Sequence, residues 1–219
     1  MAFDAFYMSC VLNEIRRLGE CRVEKIHQPS RDTVIFHLKR KEGRAKLLFA
    51  ANPAAPRLHL TAASPENPAE PPMFCMLLRK HIGSARLVAV SQLPMERCAV
   101  FTFDCIDEMG DQVQKRLIAE LMGKTCNLYL LGPDGRIIDC LRRIGLDAGA
   151  KRTALPGMYY QNPEPVEKIH PLVNEEDSVN GLVLPPPLRG TPLINAGARA
   201  PLSMHGFCCS PGPICCQIG

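Results

Sequence analysis

Between Cys98 and Asp104 the side chains alternate, with Ala99, Phe101 and Phe103 on one side and Val100 and Thr102 on the other. A two-residue apolar period marks a strand that turns one face to a core. Short segments of this kind recur through the first 141 residues, and only two stretches carry the longer period of a helix. Arg22 to His27, Thr33 to Lys39, Lys46 to Ala51 and Arg57 to Leu60 precede the second helix. Leu87 to Val90, Cys98 to Asp104, Gln112 to Met122, Asn127 to Leu131 and Arg136 to Leu141 follow it. Gln28-Pro29-Ser30 reads as a turn, and Gly132-Pro133-Asp134-Gly135 as the turn of a hairpin. Gln112 to Met122 fits either period, but the alternation of Val113, Lys115, Leu117, Ala119 and Leu121 favours a strand. The order helix, four strands, helix, five strands defines an α+β fold: an antiparallel β-sandwich flanked by helices.

The first helix opens at Asp4, a good N-cap, and carries the stripe Met8, Val11, Leu12, Ile15 and Leu18 before Gly19 stops it. The second lies within PPMFCMLLRKHIGSARL, Pro71 to Leu87. Proline at its opening costs nothing, because the first N–H groups of a helix have no internal partner. Its apolar run, Met73 to Leu78, gives way at once to Arg79, Lys80 and His81, with no acidic residue nearby in sequence. Cations at a helix C-terminus suit the dipole by ~0.3–1 kcal/mol, so a solvated helix end accounts for them; a surface for RNA does so equally.

The chain has 219 residues, 46% of them apolar and 22% charged, with a net charge of +4. That length fits one domain with a core that needs no disulfides, and the charge permits an anionic partner without demanding one. No apolar run approaches the ~18 residues of a membrane span. The start, MAFDAFYMSC, lacks a basic segment ahead of an apolar one and does not read as a secretory leader. The expected setting is the cytoplasm, where cysteines stay reduced. Of eleven cysteines, Cys10, Cys21, Cys75, Cys98, Cys105, Cys126 and Cys140 fall singly in apolar patterns and read as small hydrophobes. Neither a metal site nor a cofactor is expected among them. From Ser178 onward there is no acidic residue, seven prolines accumulate, and apolar periodicity is lost. Residues 176–219 therefore read as a disordered or aberrant Pro/Cys-rich tail. A soft-metal role for the pairs Cys208-Cys209 and Cys215-Cys216 is the less favoured alternative.

Four stretches, taken in order, carry a resemblance: VEKIHQP (23–29) followed by DTVIFHL (32–38), ENPAEPPMFCMLLRKHI (66–82), ELMGKTCNLYLL (120–131) and LPG (155–157). Together they resemble the N-terminal NFACT domain of the RqcH family, whose bacterial members are often labelled fibronectin-binding protein A. The resemblance covers residues 1 to about 175. It implies a fold like the N-terminal domain of formamidopyrimidine-DNA glycosylase. It also implies a ribosome quality control factor that binds tRNA, chiefly alanyl-tRNA in bacteria, and the large ribosomal subunit obstructed by a peptidyl-tRNA. Such factors extend the stalled chain with a C-terminal alanine tail. Complete members add a helix-hairpin-helix module, a coiled coil and a second NFACT domain, so the chain reads as a shortened member.

The resemblance also implies site residues. Glu96-Arg97 occupies the place of an acidic–arginine pair implicated in tRNA binding, with Glu where Asp is usual. Glu120, Leu121 and Met122, with Gly123 and Lys124, match a second motif, in which Lys124 would meet phosphate. Arg79, Lys80 and His81 join them as candidate RNA contacts. An exposed ion pair at 96–97 and a strand end with a turn glycine at 120–124 remain the plain structural alternatives. No nucleophile with its base, metal set or phosphate loop is evident, so no catalysis is expected. The competing functions are an inert fragment of the factor, a glycosylase-like DNA-binding domain and an extracellular adhesin.

Overall fold

The computed structural model describes residues 3–145 and 152–163. The readings made for residues 176–219 lie outside the described residues. Helix α1 (Ala5–Arg16) begins where Asp4 accepts a hydrogen bond from the Tyr7 N–H at 2.7 Å. Its buried face is Met8, Val11, Leu12 and Ile15, and Gly19 leaves the helix with φ +69°. Four strands follow: β1 (Cys21–Ser30), β2 (Thr33–Arg40), β3 (Gly43–Ala50) and β4 (Arg57–Leu60). After α2 (Met73–Ile82) come β5 (Arg86–Gln92), β6 (Cys98–Ile106), β7 (Gln112–Glu120), β8 (Asn127–Leu131) and β9 (Ile137–Cys140). The element order and the strand at 112–120 match the sequence reading.

Some details differ. β1 runs through Gln28-Pro29-Ser30 and turns only at residues 31 and 32. Its register against β2 shifts between His27 and Ser30, and Pro29, with no N–H to give a ladder, sits in that irregularity. In α2 the buried positions are Phe74, Cys75, Leu78 and Ile82, while Met73 and Met76 are exposed. The helix is thus amphipathic, buried on one face only. Six of the seven singly placed cysteines are buried as expected, but Cys10 is exposed on α1.

The strands form one antiparallel sheet, β4-β3-β2-β1-β5-β6-β7-β8-β9, and not two separate ones. Its two parts are joined by a short junction: Cys21 with Leu87, Arg22 with Arg86, and the Val23 N–H donating to the Ala85 carbonyl at 2.9 Å. β3 and β6 stand four places apart in this order, about 19 Å in a flat sheet. Yet the Phe49 and Phe101 rings meet edge to face at 5.0 Å, and Phe36 stacks on Phe103 at 6.1 Å. The sheet therefore folds over, so that its two parts face each other as the leaves of a sandwich do. α1 packs against β4 and β5, and α2 against β1, β6 and β9. The outer face of β6–β9 carries a second apolar cluster, in which Cys98, Ile118, Tyr129 and Ile137 pack with Ala154 and Tyr160.

Because the facing leaves share so little backbone pairing, Phe49→Ala is expected to destabilise the domain by ~3–5 kcal/mol in urea unfolding. A loss under ~1 kcal/mol would mean that this ring does not hold the leaves together.

Candidate functional site

The residues indicated by sequence fall in three places. At the end of α2 the cationic cluster finds partners that sequence proximity could not reveal. Arg79 donates through Nε to the Ile26 carbonyl of β1 at 2.8 Å. Lys80 Nζ lies 2.8 Å from Glu108 Oε1, in the turn between β6 and β7, with both side chains largely exposed. A pair this exposed to solvent adds little to stability. His81 Nδ1 is 3.3 Å from Lys115 Nζ of β7. The contact suits an imidazole whose Nδ1 accepts. Burial first, then the Lys115 and Lys80 charges, lower the His81 pKa. Arg79, Lys80 and His81 line a groove of about 690 Å³, shared with Arg22, Arg86 and Asp104.

The second place is the start of β6 and the end of β7. Glu96 is buried and Arg97 half-buried, so residues 96–97 are not the exposed pair of the plain structural alternative. The β5–β6 connection turns tightly, with Met95 at φ 54°, and Glu96 is only 9% exposed. Arg97 lies half-buried and donates through Nη1 to the Phe3 carbonyl at 3.1 Å, ahead of α1. Its own carbonyl accepts from the Leu121 N–H at 2.8 Å, so the two motifs are adjacent in space.

Glu120 and Leu121 are both buried, Leu121 fully and Glu120 with 1% exposed. Arg152 Nη2 donates to both Glu120 carboxylate oxygens, at 2.7 and 2.9 Å, and the Tyr160 hydroxyl donates to Oε1 at 2.6 Å. Tyr160 packs edge-on against Tyr129 at 5.2 Å. Burial, reinforced by the Glu120 charge, pushes both the Cys98 thiol and the Tyr129 phenol up to about 12 and holds Tyr160 well above the usual phenol range. This carboxylate clasps Arg152 and Tyr160 to the outer face of the sheet, and in this arrangement it is buried rather than open to a ligand. Arg152 and Tyr160 were missed because sequence gives no sign of a pairing across 32 and 40 positions.

The third place is reached through Met122, which is half-buried, and a single 3-10 turn, Gly123–Thr125. Gly123 has φ 53°, which lets the chain leave β7 abruptly. Lys124 is exposed and lines a cleft of about 1040 Å³ together with Arg31, Arg142 and Arg143. None of these three arginines was singled out from sequence. Arg142 donates to Asp32 Oδ1 at 2.5 Å, to the Ala51 carbonyl at 2.8 Å and to the Cys126 carbonyl at 3.1 Å. Arg143 bonds Asp139 through Nε at 3.2 Å.

Comparison with known proteins places this architecture. The family described as NFACT N-terminal and middle domains matches residues 4–185. The Rqc2 homolog RqcH of Bacillus subtilis is 38% identical over 181 residues, 82% of this chain and 32% of that protein. The Rqc2 homolog RqcH of Streptococcus pneumoniae is 31% identical over 181 residues, 82% of this chain and 33% of that protein. The chain thus spans about a third of the length of these curated relatives. Among solved structures, the N-terminal domain of fibronectin-binding protein PavA from Streptococcus pneumoniae superposes with a TM-score of 0.75 at 30% identity, covering 81% of this chain and 67% of that one. No helix of the described residues is long and apolar enough to cross a membrane.

Glu120→Ala leaves Arg152 charged, part-buried and without its carboxylate. It is expected to destabilise the domain by ~3–5 kcal/mol in urea unfolding, a loss that an exposed RNA-contacting glutamate would not produce. A separate expectation concerns pH. His27, His37, His59 and His81 all have lowered pKa values, with burial as the largest cause in each. Below their ordinary value of 6.5 the unfolded chain therefore binds protons that the folded chain does not, so stability falls as pH falls. Melting curves should shift down between about pH 7.5 and 5.5, and His81→Gln should reduce that shift.

Proposed function

Because the chain belongs to the NFACT family of RqcH ribosome quality control factors, we propose that it binds tRNA and the large ribosomal subunit obstructed by a peptidyl-tRNA. In this role it supports C-terminal alanine tailing of stalled nascent chains in the cytoplasm, with alanyl-tRNA as the expected tRNA. It is a binding domain and performs no catalysis of its own. The inferred likeness to the N-terminal domain of formamidopyrimidine-DNA glycosylase is one of architecture, without that enzyme's chemistry.

The observation that supports this reading is how the arginines are held. Arg97 is fixed by the Phe3 carbonyl and Arg79 by the Ile26 carbonyl. A neutral carbonyl sets the direction of a guanidinium without cancelling its charge. The planar fork is then pre-organised to meet phosphate or a base edge. Lys124, exposed on its turn, adds a point charge for phosphate. Glu120, Leu121 and the buried part of Glu96 act beneath this surface, by positioning the strand ends that carry Arg97 and Lys124.

Titration with tRNA at two salt concentrations tests the reading. Affinity should fall with salt, with a log–log slope of roughly −0.7 to −0.9 per phosphate neutralised. Arg97→Lys should weaken binding about tenfold although charge is kept, because an ammonium cannot reproduce the fork. A melting curve like the parent's must accompany that loss, since Arg97 also bonds the chain ahead of α1. Parental tRNA affinity in Arg97→Lys would remove this arginine from the interface. Absence of salt-dependent tRNA binding by the parent would favour an inert domain.

A further inference from the structure

Gln28 belongs to the HQP stretch, to which no role has been assigned above. Its side chain is 5% exposed, and its Nε2 donates to the Arg31 carbonyl at 3.3 Å. Its Oε1 is buried and has no hydrogen-bond partner among the described residues. A buried acceptor left unmatched is costly and uncommon, and it asks for a donor. Gln28 lines the cleft of about 1040 Å³ that also holds Lys124. Pro29, Pro72, Met73 and Phe74 make part of its wall, and Arg31, Lys124 and Arg143 bring positive charge to it. Asp139 also lines the cleft, but its carboxylate is bonded to Arg143.

We propose that this cleft is a subsite for one unpaired RNA nucleotide whose base offers an exocyclic amino group (adenine, cytosine or guanine, but not uracil) to Gln28 Oε1. The inference rests on the RNA-binding reading above and deepens it. Charge complementarity selects the ligand class: Lys124 and Arg31 suit a phosphate, and the apolar wall beside them suits the face of a base. The orphan acceptor selects the base. One Gln28 amide N–H is bonded to the Arg31 carbonyl, and the atom left without a partner is the acceptor Oε1. An amino group supplies the missing donor. Uracil carries carbonyl acceptors on both sides of its single N–H, and these oppose Oε1. The cleft volume is ample for a nucleotide. A second signal is Met73, which opens α2 and stays 68% exposed at this wall.

The test uses the full 219-residue chain and fluorescent RNA hexamers of A, C or U, read by anisotropy at low salt. The parent should bind the A and C hexamers about fivefold more tightly than the U hexamer, the effect of roughly one hydrogen bond. Gln28→Met keeps the length of the side chain but removes the acceptor; it should abolish this preference and leave the U hexamer affinity unchanged. Lys124→Ala, at an exposed position that folding does not depend on, should weaken all three hexamers alike and reduce the salt slope by about one phosphate. A parent without base preference overturns the subsite, as does a preference retained in Gln28→Met. If tRNA still binds the parent with salt dependence, such a result removes only the subsite and leaves the broader reading in place. If neither tRNA nor any hexamer binds, both fall together.

Discussion

The contact of Phe49 with Phe101, and of Phe36 with Phe103, is the constraint on which the rest of the domain depends. The sheet is continuous, but its two parts share only a short stretch of pairing at the β1–β5 junction. Backbone pairing that short cannot fix the angle between them. The apolar rings do so, because burying aromatic faces against each other is worth more than any local ladder bond at the junction. Once the leaves are closed, α1 and α2 have surfaces to pack on, and the two basic clefts acquire walls. A change in that core would therefore be felt at the surface, through the positions of the strand ends.

A second theme is the manner in which positive charge is organised. Arg16, Arg22, Arg79 and Arg97 each direct a nitrogen at a backbone carbonyl: Val90, Ser84, Ile26 and Phe3 respectively. Each bond ties one element to another distant in sequence. It costs side-chain entropy once, on folding, and a ligand need not order these groups again. Carboxylates serve differently. Glu120 is withdrawn from solvent and spends both oxygens on Arg152 and Tyr160, which holds residues 152–160 over the outer cluster. The cations thus remain at the surface, while the best-held anion is structural.

The motif at 120–124 illustrates how much of the site was legible. Its residue types are those of an RNA contact, and one of them, Lys124, is exposed at a cleft. Glu120 and Leu121 are not, because a strand end alternates sides and the last residues of β7 lie under the chain that crosses them. Whether a glutamate faces water depends on what packs above it, and Arg152 arrives from 32 residues away. The same limit applies to Glu96, which the tight turn at Met95 swings into a buried position, and to Arg31, Arg142 and Arg143, whose convergence on one cleft has no sequence period.

What the sequence by itself determined is local. The N-cap at Asp4, the stripe of α1, the alternation in β2 and β6 and the turn at 132–135 follow from side-chain period and backbone preference within a few residues. Among the described residues, the order of nine strands and two helices follows from the same signals. Tertiary structure alone decided that the strands join into one folded sheet, that the register of β1 slips around Pro29, and that the cations at the end of α2 meet β1 and β7. The physical reason is common to all three. Periodicity records which face of an element seeks burial, but not which other face will bury it; that is settled when distant apolar surfaces close and each buried polar group must find a partner within reach.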